Sequence, residues 1–433
     1  MTTAEVSLWG SRIGAVTLPD GERIASFEYD PAFVQSGIQL SPVSMPLGGQ
    51  IYRFPALPLE SFHGLPGLLA DSLPDKYGNA LIDAWLATQG RSPGDFNAVE
   101  RLCYTGSRGM GALEFTPVQG PKSSKAERIQ IDELVNLASE VLVHRADLKV
   151  TFAGADKAEA LREILRVGTS AGGARAKAII AWNPETNEVR SGQVKAPAGF
   201  GYWLMKFDGV ANNKDHDLAD PAGFGAREYA YSLMAAAAGI DMAECRLFEE
   251  GGRRHFMTRR FDRLDDGDKL HMQSLAALSH LDLNNARANS YEQAFTAMRA
   301  LKLPQSQLDQ QFRRALFNIV ARNQDDHVKN VAFLMDRDGQ WRLSPAFDIS
   351  YSYNPEGDWT AQHQMSLGGK RDAFTLDDLI AGGRVAGVSA KTVRSVLGEV
   401  TEAVARWESI AADVGVKPDQ IEDVSATLRL GIA

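Results

Sequence analysis

The feature that most constrains the fold is a short polar stretch, NQDDHVKN at residues 323–330, between two apolar segments. The segment before it, QFRRALFNIV, places Phe312, Leu316 and Ile319 at helical spacing, and the segment after it, VAFLMD, is typical of a strand. A core segment would not tolerate this charge, and a solvent loop would not need apolar sequence on both sides. The pattern therefore predicts a polar loop that a helix and a strand hold at the edge of a core.

A hairpin is predicted to follow this loop. The strand VAFLMD turns at RDGQ and returns as WRLSPAFD, which ends at Asp348. Because the outer ends of a hairpin meet at one edge, we expect Asp325, Asn330 and Asp348 to converge. A DDH sequence is often only a turn that caps a helix, but the spacing from Asp325 to Asn330 and the returning Asp348 favour a catalytic site.

These three side chains suit phosphoryl transfer from a metal-bound nucleotide. Asn330 and Asp348 offer the oxygen ligands that Mg²⁺ prefers, which leaves Asp325 to face a substrate hydroxyl. An Asp, an Asn five residues later and a further Asp form the layout that protein kinases use. His327 is expected to form hydrogen bonds beside ATP and not to bind the metal. Lys329 is expected either to neutralise phosphate or to pair with a carboxylate.

A lysine in an apolar strand is the candidate cation for the phosphates. Lys206 lies in YWLMKFDG, on the same strand face as Leu204 and opposite Trp203 and Met205. Such a lysine needs an anion nearby, either a phosphate of ATP or Glu228 at the start of the next helix. A Lys–Glu pair between strand and helix has this positioning role in protein kinases. Lys206 alone is also compatible with an edge-strand lysine whose amine reaches solvent.

A glycine-rich stretch, VGTSAGGARAK at residues 167–177, is the candidate cradle for the phosphates. Its glycines allow backbone N–H groups to approach an anion closely. It is not a Walker A loop, because GK[ST] is missing and a strand follows instead of a helix. Taken alone it is equally compatible with a plain loop. We predict ATP contacts from four of its residues: Ser170, Ala171, Gly172 and Gly173. Asp262, in RRFDR, is a further candidate that could reach the ribose.

The pattern of elements predicts an α+β protein with three regions. The front region (1–115) alternates and is broken by Gly and Pro, as short antiparallel strands would be. The middle region (131–262) mixes strands with one amphipathic helix, and helices dominate the back region (263–433). A polar stretch at 116–130 is predicted to be a linker or a domain edge.

Four local predictions can be compared with the structure. A helix is expected from Lys76 to Thr88, and a capping box should open another at Thr375. A terminal helix carries an apolar pattern at Val393, Val396, Leu397, Val400, Val404 and Trp407. The helix in REYAYSLMAAAAGI should end at Gly239. Its buried face is predicted to contain Ala230, Leu233, Met234 and Ala237.

Composition excludes several classes of protein. The formal net charge of the 433 residues is -9, so a basic surface for nucleic acid is absent overall and DNA contact would need a partner. Only two cysteines occur, which are too few for a disulfide framework and fit a reducing cytosol. The first residues lack a signal-peptide pattern, and no run of about 18 apolar residues suggests a membrane span. A cytoplasmic location is therefore expected.

The order of these parts resembles the HipA family of bacterial toxin kinases from type II toxin–antitoxin systems. The matching pieces of the middle and back regions are GTSAGGARAK, YWLMKFDG, REYAYSLMAAAAGI, RRFDR, NQDDHVKN and SPAFD. The front region also resembles that family, from VSLWGSRIG through SPVSMPL to ADSLPDKYG. The resemblance covers most of the chain, and NQDDHVKN followed by PAFD is its most specific portion.

The resemblance implies a two-lobed, protein-kinase-like fold that transfers the γ-phosphate of ATP to Ser or Thr, with Mg²⁺ as cofactor. It makes Asp325 the catalytic residue, Asn330 and Asp348 the metal ligands and Lys206 the phosphate-binding lysine. It also implies that Ser170 is autophosphorylated, and that this phosphate would repel ATP and switch the enzyme off. The implied partners are a small DNA-binding antitoxin of the HipB type, operator DNA through that antitoxin, and an aminoacyl-tRNA synthetase as substrate.

Some residues depart from the patterns of related proteins. Asn323 and Gln324 stand where ordinary protein kinases have His-Arg, which agrees with the HipA group. Arg175 and Ala176 stand where the family often has Gln and Glu, and Thr169 beside Ser170 leaves the phosphorylated hydroxyl open. Two other functions are compatible with the pattern. One is a nucleotide-binding corepressor scaffold that works with a DNA-binding antitoxin, and the other is a small-molecule kinase.

Overall fold

The structure is a computed structural model that describes residues 1–120, 128–143, 165, 175–210, 214–215, 218–219 and 223–432. Ser170, Ala171, Gly172 and Gly173 lie outside these ranges, as do Thr169 and much of the predicted linker. The described residues form three hydrophobic cores of appreciable size, one largely within each region.

The front region is built on a five-stranded antiparallel sheet in the order β4-β3-β2-β1-β5. Its first strand shows why the sequence folds this way, because Ala4, Val6 and Leu8 alternate with polar residues and are buried. Its strands are β1 (Thr2–Leu8), β2 (Ser11–Leu18), β3 (Ser26–Tyr29), β4 (Ile51–Tyr52) and β5 (Leu113–Thr116). Its helices are α1 (Pro31–Val34), α2 (Leu59–Phe62), α3 (Gly67–Ala70), α4 (Lys76–Thr88) and α5 (Ala98–Thr105), with a 3₁₀ turn at Pro93–Asp95.

The middle region contains a second antiparallel sheet, in the order β11-β12-β8-β6-β7. The strand β8 lies at its centre, and Lys177 of β6 is in register with Lys206 of β8. The strands are β6 (Lys177–Asn183), β7 (Glu188–Ser191), β8 (Gly201–Lys206), β9 (Lys214–Asp215), β10 (Leu218–Ala219), β11 (Cys245–Glu250) and β12 (Arg253–Arg259). The helices are α6 (Ile131–Val143) and α7 (Phe224–Ala237), and α7 packs on β12.

The back region consists mainly of helices around a small three-stranded sheet, β13-β14-β15. The predicted hairpin is present as β14 and β15, and β13 pairs with β14. The strands are β13 (His271–Ser274), β14 (Ala332–Met335) and β15 (Trp341–Leu343). The helices are α8 (Leu275–Ser279), α9 (Tyr291–Ala300), α10 (Gln305–Val320), α11 (Leu376–Ala386), α12 (Ala390–Val404), α13 (Trp407–Asp413) and α14 (Pro418–Ser425), with a 3₁₀ turn at Ala286–Ala288.

Most of the local predictions are confirmed. The helix α4 runs from Lys76 to Thr88 as expected. The capping box is present, since the Thr375 hydroxyl accepts from the Asp378 N–H while the Asp378 carboxylate accepts from the Thr375 N–H. In α10 the predicted apolar positions Phe312, Leu316 and Ile319 are fully buried.

Two helix predictions need correction. The predicted buried face of α7 included Leu233 and Ala237, but both are exposed, and the buried stripe runs through Ala226, Ala230 and Met234. The helix is rich in alanine, so its apolar pattern fixes its orientation weakly, and contacts with β12, α12 and α13 decide it. Trp407 is buried as expected, but it begins the separate helix α13 after a break at residues 405–406.

Buried polar contacts join the front region to the other two. The Asp75 carboxylate, which caps α4, lies 3.0 Å from the Lys177 ammonium on β6, and both side chains are buried. The Asp71 carboxylate accepts hydrogen bonds from the backbone N–H and the hydroxyl of Ser274. Because buried charges are costly unless they are paired, these contacts fix the front region against the rest of the molecule.

The predicted fold class is confirmed. The described residues form an α+β structure with a β-rich front and a largely helical back. Among these residues, no helix combines the length and apolar character needed to cross a lipid bilayer.

A buried histidine should make this fold sensitive to acid. His271 on β13 is 1% exposed, and burial lowers its pKa from 6.5 to about 3. The unfolded chain binds a proton below pH 6.5, whereas the folded state does not until about pH 3. Stability should therefore fall as pH drops through this window, by about 2–3 kcal/mol at a pH near 4.5 from this group alone.

The variant His271→Leu tests this linkage. Urea unfolding at pH 7 and at pH 4.5 should show a smaller loss of unfolding free energy for the variant, by about 2–3 kcal/mol. His255 and His280, whose pKa values burial also lowers, remain in both proteins and cancel in the comparison. Equal losses in the two proteins would contradict the assignment.

Candidate active site

The predicted polar loop lies between the end of α10 and the start of β14. Within it, the Asn330 side-chain N–H donates to the backbone carbonyl of Asp325 at 3.0 Å, which ties the two ends of the loop together. This bond uses the amide nitrogen of Asn330, and the amide oxygen of Asn330 takes no part in it. The Asp325 carboxylate accepts from the indole N–H of Trp359 at 2.6 Å, and His327 Nε2 lies 3.9 Å from the same oxygen.

The neighbouring carboxylate, Asp326, has a structural role. It is 2% exposed and accepts three hydrogen bonds, from the Tyr291 hydroxyl at 2.5 Å, from His363 Nδ1 at 2.9 Å and from the Gln364 backbone N–H at 2.8 Å. Arg429 donates to the other ring nitrogen of His363, which places the proton of a neutral His363 on Nδ1. The sequence DD therefore separates into one partly exposed residue, Asp325, and one buried residue, Asp326, that anchors the loop.

The hairpin brings Asp348 to the loop as predicted. Asp348, His327 and Asn330 line the same cavity. The backbone of Asp348 has a φ of 56°, a left-handed conformation that costs a residue with a side chain about 1–2 kcal/mol. Such strain persists where the surrounding structure enforces it, and it is common at functional sites.

Lys206 of the middle region contacts Asp348 of the back region at this point. Its ammonium lies 2.5 Å from a Glu228 oxygen and 2.5 Å from an Asp348 oxygen. Glu228 is fully buried on α7, so the predicted bridge between strand and helix is present. The structure thus brings together five of the predicted residues, which are Lys206, Glu228, His327, Asn330 and Asp348.

The charges at this junction are strongly coupled. Burial by itself would lower the pKa of Lys206, but the Asp348 and Glu228 carboxylates outweigh it and hold that pKa above its ordinary value. Burial would raise the pKa of Asp348, but Lys206 outweighs it and holds that pKa well below its usual range. For Glu228, burial prevails over Lys206, so its pKa is raised. Lys206 and Asp348 therefore carry opposite charges at neutral pH.

The available ligands fit a Mg²⁺–nucleotide complex. Within the described ranges, no group of three or more His, Cys, Asp or Glu side chains could hold a metal ion by itself. Asn330 and Asp348 instead offer an amide oxygen and a carboxylate, which are hard ligands of the kind that Mg²⁺ binds when water and phosphates complete its shell. The cationic Lys206 adjoins Asp348, where it could contact those phosphates.

Two predicted ATP contacts lie elsewhere. The structure does not support Asp262 as a ribose ligand, because its carboxylate is fully buried and accepts from Arg260, Arg263 and the Gly111 N–H. Lys329 lines a different cavity, together with Asp71 of the front region. Of the two alternatives for Lys329, this position favours a role beside a carboxylate. The predicted phosphate cradle at residues 170–173 is outside the described part of the chain.

Sequence reasoning missed several residues around the site. Arg175, named only as a departure from a family pattern, stacks on the Phe224 ring at 3.3 Å and lies 3.9 Å from Glu228. Trp359 and His363 contact the loop from a segment that follows Asp348 by more than ten residues. No local spacing rule identifies such contacts, although the unusual DD doublet could have suggested a second carboxylate that needs buried donors.

Comparison with known proteins adds family evidence to this geometry. A model described as HipA-like C-terminal domain matches residues 169–407, and one described as HipA N-terminal domain matches residues 4–116. A protein of Sinorhizobium fredii, named Putative kinase Y4mE, is 27% identical over 206 residues, which are 43% of this chain. That alignment spans 48% of the relative, so the chain matches only about half of its length.

One solved structure shares the fold over almost the whole chain. It is the complex of HipA, HipB and operator DNA from the toxin–antitoxin system of Shewanella oneidensis MR-1. The match has a TM-score of 0.67 at 19% identity and covers 98% of this chain and 94% of that one. At this identity the likeness concerns the fold.

Replacing the anchoring carboxylate should loosen the loop. The variant Asp326→Asn presents an amide N–H to donors that need an acceptor, so the free energy of unfolding should fall by about 2–4 kcal/mol. Chemical denaturation measures this loss. The matched variant Asp338→Asn, at an exposed position in the turn between β14 and β15, should change stability by less than about 0.5 kcal/mol. Similar stabilities of the two variants would contradict the anchoring role.

Proposed function

Because the chain belongs to the HipA family, we propose that it is an ATP- and Mg²⁺-dependent serine/threonine protein kinase that acts as the toxin of a toxin–antitoxin pair. The observation that carries the proposal is the position of Lys206, 2.5 Å from both Glu228 and Asp348. This contact joins the lysine–glutamate pair of one lobe to a candidate metal ligand of the other. Protein kinases need both parts in place for phosphoryl transfer.

Each of these residues has a proposed role in the reaction. Lys206 binds phosphate oxygens of ATP, and Glu228 orients its ammonium. Asn330 and Asp348 would hold Mg²⁺, which would neutralise charge on the phosphates. Asp325 accepts the proton of the acceptor hydroxyl. The hydroxyl oxygen then forms a bond to the γ-phosphorus, the bond from that phosphorus to the bridging oxygen breaks, and ADP leaves with the electron pair.

The ion pair between Lys206 and Asp348 must loosen when nucleotide binds. Asp348 would exchange the ammonium for Mg²⁺, and Lys206 would exchange one carboxylate for phosphate oxygens. Both exchanges replace one charged partner with another of the same sign, so neither residue is left buried without a partner. Glu228 is fully buried on α7 and stays with Lys206 throughout.

Autophosphorylation in the glycine-rich stretch is the proposed control of activity. Ser170 is the proposed acceptor, with Thr169 as the adjacent alternative. A phosphate there adds up to about two negative charges. It would repel the triphosphate of ATP from the same stretch and so inactivate the enzyme.

The proposed partners follow from the family and from the charge of the chain. With a net charge of -9, the chain offers no overall basic surface, so operator DNA would be bound by a HipB-like antitoxin. In the similar Shewanella oneidensis structure, HipA is found together with HipB and operator DNA. The proposed substrate is an aminoacyl-tRNA synthetase in the cytoplasm, whose phosphorylation would slow translation and arrest growth.

The variant Asp325→Asn tests the catalytic role directly. It keeps the shape of the side chain but removes the proton acceptor, so transfer of radiolabel from γ-labelled ATP to protein should fall about 100- to 10,000-fold. Binding of a fluorescent ATP analogue should stay within about threefold, because Asp325 is not a proposed ligand of ATP or metal.

The exposed Asp338→Asn variant is the matched control, and it should transfer label at the rate of the wild type. Label that still enters protein at the wild-type rate in Asp325→Asn would remove Asp325 from the mechanism. Label that enters small hydroxylated metabolites but no protein would favour a small-molecule kinase instead. Nucleotide binding without any transfer by the wild type would favour a corepressor scaffold.

Mass spectrometry of purified protein tests autophosphorylation. The peptide that contains Thr169 and Ser170 should carry one added phosphate in the wild type and none in Asp325→Asn. The variants Thr169→Ala and Ser170→Ala assign the hydroxyl, since only loss of the true acceptor removes the phosphate. Phosphate that persists on this peptide in Asp325→Asn would show that another kinase adds it.

A further inference from the structure

Trp359 is placed to hold the catalytic carboxylate, and we infer that it is a positioning residue for Asp325 in the reaction proposed above. The inference rests on that proposed function for its catalytic meaning, but the contact can be measured without it. The indole N–H of Trp359 donates to Asp325 Oδ1 at 2.6 Å, the short distance expected for a hydrogen bond to an ionised acceptor.

The backbone around Trp359 is tied to both neighbours of Asp325. On one side, the Gln324 side chain donates to the Thr360 carbonyl at 3.1 Å. On the other side, the Gln364 side chain donates to the Trp359 carbonyl, and the Gln364 backbone N–H donates to Asp326 at 2.8 Å. Gln324 and Gln364 are both buried, so these bonds are shielded from water. The indole is therefore held in a fixed relation to the loop it contacts.

A fixed donor at one oxygen restricts the rotation of the carboxylate. A carboxylate has about four acceptor positions on two oxygens, so the bond at Oδ1 is compatible with acceptance of a hydroxyl proton at the other oxygen. Among the described residues, His327 is a titratable group near Oδ1, at 3.9 Å, and its ring lies edge-on to the Trp359 ring. Trp359 thus selects one orientation of Asp325, and preorganisation of this kind raises kcat more than it changes ATP binding.

The variant Trp359→Phe separates the N–H donor from the aromatic ring. We expect kcat for label transfer to fall about tenfold, as for loss of a hydrogen bond to a charged group, while KM for ATP changes less than twofold. The control is Trp341→Phe, which also removes an indole N–H hydrogen bond. In the wild type that bond runs from Trp341 to the carbonyl of Gln39 in the front region, at 3.1 Å. That control should keep the wild-type kcat.

A double-mutant cycle tests whether the effect passes through Asp325. In the Asp325→Asn background, Trp359→Phe should produce almost no further loss of kcat, because the carboxylate that the indole orients is already gone. Additive losses in the two variants would overturn the inference. An unchanged kcat in Trp359→Phe would also overturn it.

Nuclear magnetic resonance provides a readout that does not depend on activity. Among the seven tryptophans, the indole N–H signal of Trp359 is assigned by its loss in Trp359→Phe. This signal should shift in Asp325→Asn and stay in place in Asp338→Asn. If the wild type transfers no phosphate, the proposed function fails while the indole signal still reports the contact. An indole signal that ignores Asp325→Asn overturns the contact itself.

Discussion

The structure depends on the partly buried ammonium of Lys206. Two carboxylates from different elements lie at the same distance from it. Glu228 comes from α7 of the middle region, and Asp348 comes from the segment that follows the hairpin of the back region. Glu228 is fully buried, and removal of one partner from a buried ion pair typically costs about 3–5 kcal/mol. The Asp348 side chain is 40% exposed, so its contact with Lys206 contributes less. Together the two contacts constrain the three elements to meet at this point. The strained backbone of Asp348, with its φ of 56°, is consistent with that constraint. The cavity that Asn330 and Asp348 line adjoins this ammonium through Asp348.

Asp325 and Asp326 are adjacent aspartates whose different surroundings give them different roles. Asp326 is surrounded by donors in the core, and its carboxylate accepts from them and so fixes the loop. Asp325 is partly exposed and faces Trp359, so it can accept a proton from a hydroxyl in the proposed reaction. The loop needs both, because a carboxylate acts as a base only when its surroundings hold it in one place. The burial of Asp326 is therefore part of what makes Asp325 a candidate for catalysis.

The sequence predicts those parts of the site that depend on short-range periodicity. Strand alternation placed Lys206 on the strand face opposite Trp203 and Met205. Helical spacing predicted α10, and the two strands around RDGQ predicted a hairpin that brings Asp348 back to the loop. The orientation of α7 was predicted incorrectly, because an alanine-rich helix has no strong apolar stripe and its neighbours decide which face is buried. From the sequence, Asp262 is a candidate contact for the ribose, and Arg260 and Arg263 lie within two residues of it. In the structure those arginines and Gly111 saturate it in the core. Trp359 and His363 were not found, since contacts between distant segments leave no spacing signal.

The front region takes part in the electrostatics of the cleft. Lys177 is in register with Lys206 on the neighbouring strand, and its charge helps to lower the pKa of Asp348 after the larger effect of Lys206. The front-region carboxylate of Asp75 lies 3.0 Å from Lys177 and is buried with it. A second front-region carboxylate, Asp71, lines one cavity with Lys329 of the polar loop. Separation of the front region would take the Asp75 carboxylate away from buried Lys177, which adjoins Lys206 of the proposed nucleotide site, at a cost of several kcal/mol. The front region therefore supplies one of the charges that surround the site of the proposed kinase.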